Sequence, residues 1–282
     1  MTMSRMQYVT IFEMAREYLL SFAEIDEEIL DRHLKAGENK KMLSMNDVMK
    51  AMLNSIQNRG GMPNTIGELE NIREPLFGFN PYRVTESYGQ DYRSCWEKLF
   101  NEIKASEKIT REMKSKKNSY WVVFCKSAIS VSSFLSRFSS IEDFNKFVGL
   151  LYVNEYTRPV LPLLLAKEIY GLGFVLACDF LKENGYPEYV KPDRHIKAIF
   201  NGVGISGSED DYEVFRAVIT FSKIVGRTPY EVDKLFWLVG SGRFYLEEPE
   251  IHIGTKRDDF VKSVNNKLSA SENPTNITKT LS

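Results

Sequence analysis

The chain has 282 residues, 43% hydrophobic and 27% charged, with a formal net charge of -1, a composition that supports a sizeable core in one large domain or two packed helical lobes. No apolar run approaches the roughly 18 residues that a membrane-crossing helix needs, polar residues interrupt the N-terminus too often for a signal peptide, and near-neutrality counts against a protein that coats nucleic acid by bulk charge. Cys95, Cys125 and Cys178 are odd in number and widely spaced, which points to a reducing, intracellular setting and excludes a four-cysteine iron–sulfur cluster, while only His33, His195 and His252 are available for zinc.

Residues 8–24 set Ile11, Met14, Leu19 and Phe22 near one face, so an amphipathic helix is predicted there. Residues 44–57 repeat the pattern with Val48, Met52 and Ile56. The segments RGGMPNTIG and EPLFGFNPYR, crowded with Gly, Pro and Asn, read as loops. A helix is predicted over 90–107, with Tyr92, Trp96, Leu99, Phe100 and Ile103 as its stripe. Arg111, Lys114, Lys116 and Lys117 follow as a basic cluster, either a solvated helix face or a nucleic-acid contact. Tyr120 to Cys125 has strand composition, but apolar residues continue past strand length, which favours a buried helix. Ser139 and Glu142 have the spacing of a capping box opening a helix to about Leu151. Thr228, Pro229 and Glu231 form a second such start, with Gly226 ending the preceding helix, and the helix they open ends at Gly240. From 269 the sequence lacks periodicity and reads as a flexible tail. No strand–turn–strand punctuation is visible, so the fold class is all-α. The expected division is an N-terminal helical region, 1–118, and a second region, 119–262.

The most informative stretch begins at Leu161. One helix runs to Ile169, meets Gly171-Leu172-Gly173, and a second runs from about Phe174 to Glu183. Two glycines one residue apart allow a tight turn and a close backbone approach. The second helix then offers free N–H groups and the positive end of its dipole to a phosphate. Alone, this pattern fits any helix–helix turn. Beyond a Gly-Tyr-Pro turn, Lys191-Pro192-Asp193-Arg194-His195-Ile196 opens a further helix. Asp193 is a good N-cap by type, and Lys191, Arg194 and Lys197 form a second basic cluster.

Together these segments resemble the helix-hairpin-helix (endonuclease III-like, HhH-GPD) DNA glycosylase superfamily. Its hairpin reads roughly L-P-G-V-G, against Ile169-Tyr170-Gly171-Leu172-Gly173 here. Its later motif V-D-x-H-[VI] is matched from Asp193 to Ile196, at the family's separation and without a gap. Val232-Asp233-Lys234-Leu235-Phe236-Trp237 is similar to a downstream family helix, and DVMKAMLNSIQNRGG to an early one. The resemblance covers roughly 120–245. It implies two helical lobes flanking a cleft, double-stranded DNA as partner, and contacts through Gly171, Leu172, Gly173, Phe174 and Val175. It further implies base flipping and cleavage of the N-glycosidic bond through an oxocarbenium-like transition state, which the carboxylate of Asp193 would stabilise. Members that also nick the strand carry a Schiff-base lysine two residues beyond the second hairpin glycine; Val175 stands there, which implies a monofunctional enzyme. Tyr170 replaces the usual proline. The resemblance also implies a monovalent cation on the carbonyls of Lys167, Ile169 and Leu172. His195, Tyr120, Trp121 and Trp237 are candidates for a base pocket. Two other readings stay open: a non-catalytic DNA-binding protein that keeps the hairpin, and an all-α interaction protein in which the two motifs coincide by chance.

Overall fold

A computed structural model of the chain describes residues 3–37, 40–60, 62–103 and 119–272. The described residues are mostly helical, with one two-stranded ribbon, as the all-α expectation required. The basic cluster from Arg111 to Lys117 lies outside them. No helix of the described residues is long and apolar enough to cross a membrane.

The chain divides into two compact units. One joins residues 1–38 to 187–282; the other is the continuous segment 39–186. The expected boundary near 118 therefore falls inside a unit, and the first helices belong with the last.

The discontinuous unit contains α1 (Arg5–Leu20), α2 (Glu27–Leu34), α11 (Arg194–Gly202), α12 (Asp211–Val225), α13 (Pro229–Ser241) and α14 (Arg257–Glu272). Helix α1 starts earlier than its hydrophobic periodicity indicated, because Ser4 and Gln7 form a reciprocal capping box. It packs on α12, α13 and α14. Phe200, Phe221 and Phe236 meet edge to face at the centre, with ring centroids 5.2–5.5 Å apart, a favoured aromatic geometry. Thr228 caps α13 with Glu231 answering and Pro229 in the first turn, and Gly226 ends α12 in the left-handed conformation, both as the sequence indicated. The helix continues one residue past Gly240 and is closed by Gly242. Helices α2 and α14 were not expected from the sequence, and two further features escaped it. Arg243–Phe244 pairs antiparallel with Ile251–His252, a ribbon too short to leave a periodic signal. Helix α14 also reaches Glu272, so the tail expected from 269 begins no earlier than 273, outside the described residues.

The continuous unit holds α3 (Met45–Gln57), α4 (Met62–Ile66), α5 (Pro81–Tyr88), α6 (Tyr92–Ile103), α7 (Tyr120–Leu135), α8 (Ile141–Tyr152), α9 (Val160–Glu168) and α10 (Phe174–Glu183). Helix α7 packs against α3, α4, α5 and α6. Its burial on nearly every face explains why Tyr120 to Cys125 resembled a strand: a helix buried all round has no polar side to reveal its period. The two segments expected to be loops contain α4, a short 3-10 turn at Phe77–Phe79 and the start of α5. Asn80 is the N-cap of α5 and Pro81 its first residue, so this Asn-Pro pair starts a helix rather than breaking one. At α8 the cap is Ser140, accepting from the Asp143 N–H, one residue beyond the expected Ser139. Ser139 bonds instead to the Asp143 carboxylate.

Candidate functional site

The glycine turn lies in the continuous unit. Gly171 has φ +84°, and a Cβ there would overlap the Ser127 hydroxyl of α7. Glycine is required twice over, by conformation and by space. Ser130, one turn along α7 from Ser127, accepts from the Tyr170 N–H at 2.8 Å, so α7 fixes the turn from below. Leu172 and Ile169 are buried, and the Leu172 N–H donates to the Ile169 carbonyl at 3.3 Å. Gly173 caps α10 without a side-chain bond, at φ −66° and ψ 168°. It is exposed, and a Cβ there would meet nothing within 4 Å. The first turn of α10 thus offers its amides beside an open surface, with Phe174 and Val175 half-buried on it. Farther along α10, Asp179 is buried and accepts from Asn58 at the end of α3 at 2.7 Å. Lys182 is also buried, with Nζ 2.9 Å from Glu183. Among the described residues nothing donates to the carbonyls of Lys167 and Leu172, and the Ile169 carbonyl keeps one lone pair. Unpaired carbonyls are ordinary at a helix end, and these are the oxygens on which the expected monovalent cation would sit.

The second element, in the discontinuous unit, is the start of α11. Asp193 is its N-cap, and Oδ1 accepts from the N–H groups of both His195, at 2.8 Å, and Ile196, at 3.1 Å. Among the described residues no donor takes Oδ2, and the side chain is only half-buried. One oxygen is anchored and the other is open, the disposition of a carboxylate that can face a developing positive charge. The approach is equally constrained. Lys191 donates its N–H to the Asp233 carboxylate of α13, and its carbonyl accepts from the Asp193 N–H at 2.7 Å.

His195 is 9% exposed and lies on α13 at Gly240, where a Cβ would come within 2.6 Å of the His195 Cβ. Arg194 Nε approaches His195 Nε2 at 3.4 Å. With Nε2 accepting, the ring proton sits on Nδ1, which is buried against the Gly240 backbone. Burial holds the imidazole below its ordinary pKa, with Asp193 pulling the other way and Arg194 and Arg257 adding to the depression. Of the basic cluster, Lys197 is spent on Asp211 at 2.6 Å, while Arg194 stays exposed.

Trp237 also belongs to this unit. Positions 233, 237 and 240 recur at helical spacing along one side of α13, so the half-buried Trp237 lies between the two residues that meet the α11 start. Its ring contacts Tyr245 edge to face at 5.7 Å, and the buried Lys234 ammonium, 2.7 Å from the Tyr245 hydroxyl, sits among Tyr230, Trp237 and Tyr245. Asp193, His195 and Trp237 therefore share one unit and the glycine turn belongs to the other. Trp121, in the continuous unit, is 1% exposed, and its indole Nε1 has no partner among the described residues. Tyr120 is partly exposed and donates to the Gly60 carbonyl at 2.8 Å.

Sequence reasoning found the turn and the cap but not what holds them: Ser127, Ser130, Asp179, Asp233 and Gly240. Asp233 and Gly240 lie on a helix whose periodicity was plain, yet nothing local says that a buried carboxylate there reaches Lys191. Comparison with protein-family models, with curated proteins and with solved structures finds no match.

Proposed function

We propose that the protein is a monofunctional DNA glycosylase that hydrolyses the N-glycosidic bond of a damaged or mispaired base in duplex DNA. The observation that carries this reading is the carboxylate of Asp193. It is fixed by two backbone N–H groups on one oxygen, with the other oxygen open, inside the Asp-Arg-His-Ile motif on which the resemblance rests. The glycine turn supports the reading from its own side. An uncapped, exposed helix start is a ready phosphate site and holds a backbone without reading its sequence.

In the proposed reaction the base is extruded at a cost of about a few kcal/mol. The C1′–N bond breaks, its electron pair leaves with the base, and positive charge grows on the sugar. Asp193 stabilises that charge and accepts a proton from the water that adds to C1′. The half-buried Val175 offers no amine for a Schiff base, so an abasic site is the product.

The test uses the full chain and duplexes carrying oxidised purines, alkylated bases, uracil or mismatches. Expected are an alkali-labile abasic product, no adduct on borohydride reduction, and duplex binding that weakens steeply with salt. A trapped adduct would overturn the monofunctional assignment. Binding without base release from any duplex would favour the non-catalytic DNA-binding reading, in which Asp193 is only a cap. No binding at low salt would remove both.

A further inference from the structure

The buried carboxylate of Asp233 has no part in the reaction just proposed, yet it grips the chain immediately before Asp193. Asp233 is fully buried on α13, where an ionised group is costly unless it is hydrogen-bonded. Its Oδ2 accepts the N–H of Lys191. Pro192 has no N–H to give, and its ring restricts both itself and the residue before it. The approach to α11 therefore contains only two backbone donors. The Lys191 N–H goes to Asp233, and the Asp193 N–H to the Lys191 carbonyl at 2.7 Å. Two residues beyond Asp193, the same helix receives His195 against the bare backbone of Gly240. Gly240 lies seven residues along from Asp233, about 10.5 Å at helical rise. One rigid helix thus holds the chain two residues before and two residues after the carboxylate, by a buried carboxyl acceptor at one point and by missing bulk at the other.

We infer that Asp233 is a positioning residue: acting through the Lys191 amide, it sets where the open oxygen of Asp193 points. This rests on the proposal that Asp193 performs the chemistry. Asp233→Asn keeps the shape but puts an amide, with one oxygen and one NH2, where the carboxyl accepts from the Lys191 N–H, which loosens the hold. Displacements of about 1 Å at a reacting group cost on the order of 100-fold in rate.

Two measurements on the full-length protein separate this inference from the function it rests on. The first is amide hydrogen exchange with proton–nitrogen spectra. In the wild type the Lys191 amide should be protected and shifted downfield. In Asp233→Asn it should lose both properties, and the His195 and Ile196 amides, which report on the Asp193 cap, should move with it. An unprotected Lys191 amide in the wild type, which needs no variant to fold, overturns the inference. So does a change at Lys191 that leaves His195 and Ile196 unmoved. The second is single-turnover base release against duplex affinity. Asp233→Asn should slow release by about 10- to 100-fold with an unchanged Kd, and Asp233→Leu should slow it further. An unchanged rate, or equal losses in rate and affinity, refutes positioning. If the wild type releases no base, the glycosylase proposal falls, and the amide measurement still decides whether Asp233 sets the cap.

Discussion

The glycine turn and the aspartate cap both present a helix start, and they are built in opposite ways. The turn is made of backbone: a left-handed Gly171 pressed on Ser127, a bare Gly173, and no side-chain cap. The cap is made of side chains: Asp193 bonded twice to its own helix, and a second carboxylate behind it on the Lys191 amide. A surface that must accept any stretch of a repeating anionic backbone needs only N–H groups and space. A group that must stand at one atom of a reacting sugar needs its orientation fixed from several sides. On the proposed glycosylase reading, the turn would hold the duplex and the cap would carry the chemistry.

The sharpest way to break that assignment is Asp193→Asn. Asparagine caps helices about as well as aspartate, so stability should change by no more than about 0.5 kcal/mol. Base release should fall by roughly 100- to 10,000-fold, about 3–5 kcal/mol in the barrier, with duplex affinity unchanged. A gel assay of abasic product and a titration of the same duplex read the two halves separately, and loss of binding would erase the distinction between the regions.

Gly171→Val attacks the other side. A left-handed conformation costs an L-residue roughly 1–2 kcal/mol and overpacking against Ser127 roughly 1–3 more. Urea unfolding should show a loss of about 2–5 kcal/mol by that addition, with duplex binding weakened. A variant as stable as the wild type would mean that the turn does not need the geometry described.

Acid should act on the unit that carries the cap. His33 is fully buried, its Nδ1 lies 2.9 Å from the Ile29 carbonyl, and its Nε2 accepts from the Leu246 N–H at 3.2 Å. That pattern requires the neutral ring. Burial holds its pKa below the ordinary 6.5, as does Lys234, while Glu247 opposes. The unfolded chain then binds the proton more readily. The stability that neutral His33 contributes is complete above the unfolded value and is lost as pH falls below it toward the lowered folded value. His195 is shifted in the same direction, also by burial. Urea midpoints measured from pH 7.5 downward should decline, and His33→Gln should flatten part of the decline. A midpoint that rises on acidification would contradict the neutral ring. The smallest effect belongs to Gly173→Ala: its φ is ordinary and its surroundings open, so a change within about 0.5 kcal/mol is expected. A large loss would mean that Gly173, like Gly171, is structurally required.

Much of this frame was legible in the residue order. The Thr228 capping box, the Gly226 stop, the glycine turn and the Asp193 cap are local devices, each decided within four or five residues, and each stands where the sequence placed it. What stayed hidden depends on distance along the chain. Asp233 and Lys191 are 42 positions apart, and Asp179 and Asn58 are 121 apart; no periodicity connects such pairs. Local signals also misled where one residue type serves two ends: Asn80-Pro81 has loop composition and opens a helix.

The grouping of residues 1–38 with 187–282 has a consequence for how the protein is made. The continuous unit can complete its core once its last helix is synthesised, and domains emerging from the ribosome generally fold as units. Helix α1 has no such option. Apart from α2, which follows at once, its buried face, Ile11, Phe12, Ala15 and Leu19, finds its partners when α12, α13 and α14 have been synthesised. At about 5–20 residues per second that wait is roughly 10–50 s. During it the earliest part of the chain carries an uncovered apolar stripe, the state in which a nascent protein is most in need of a chaperone.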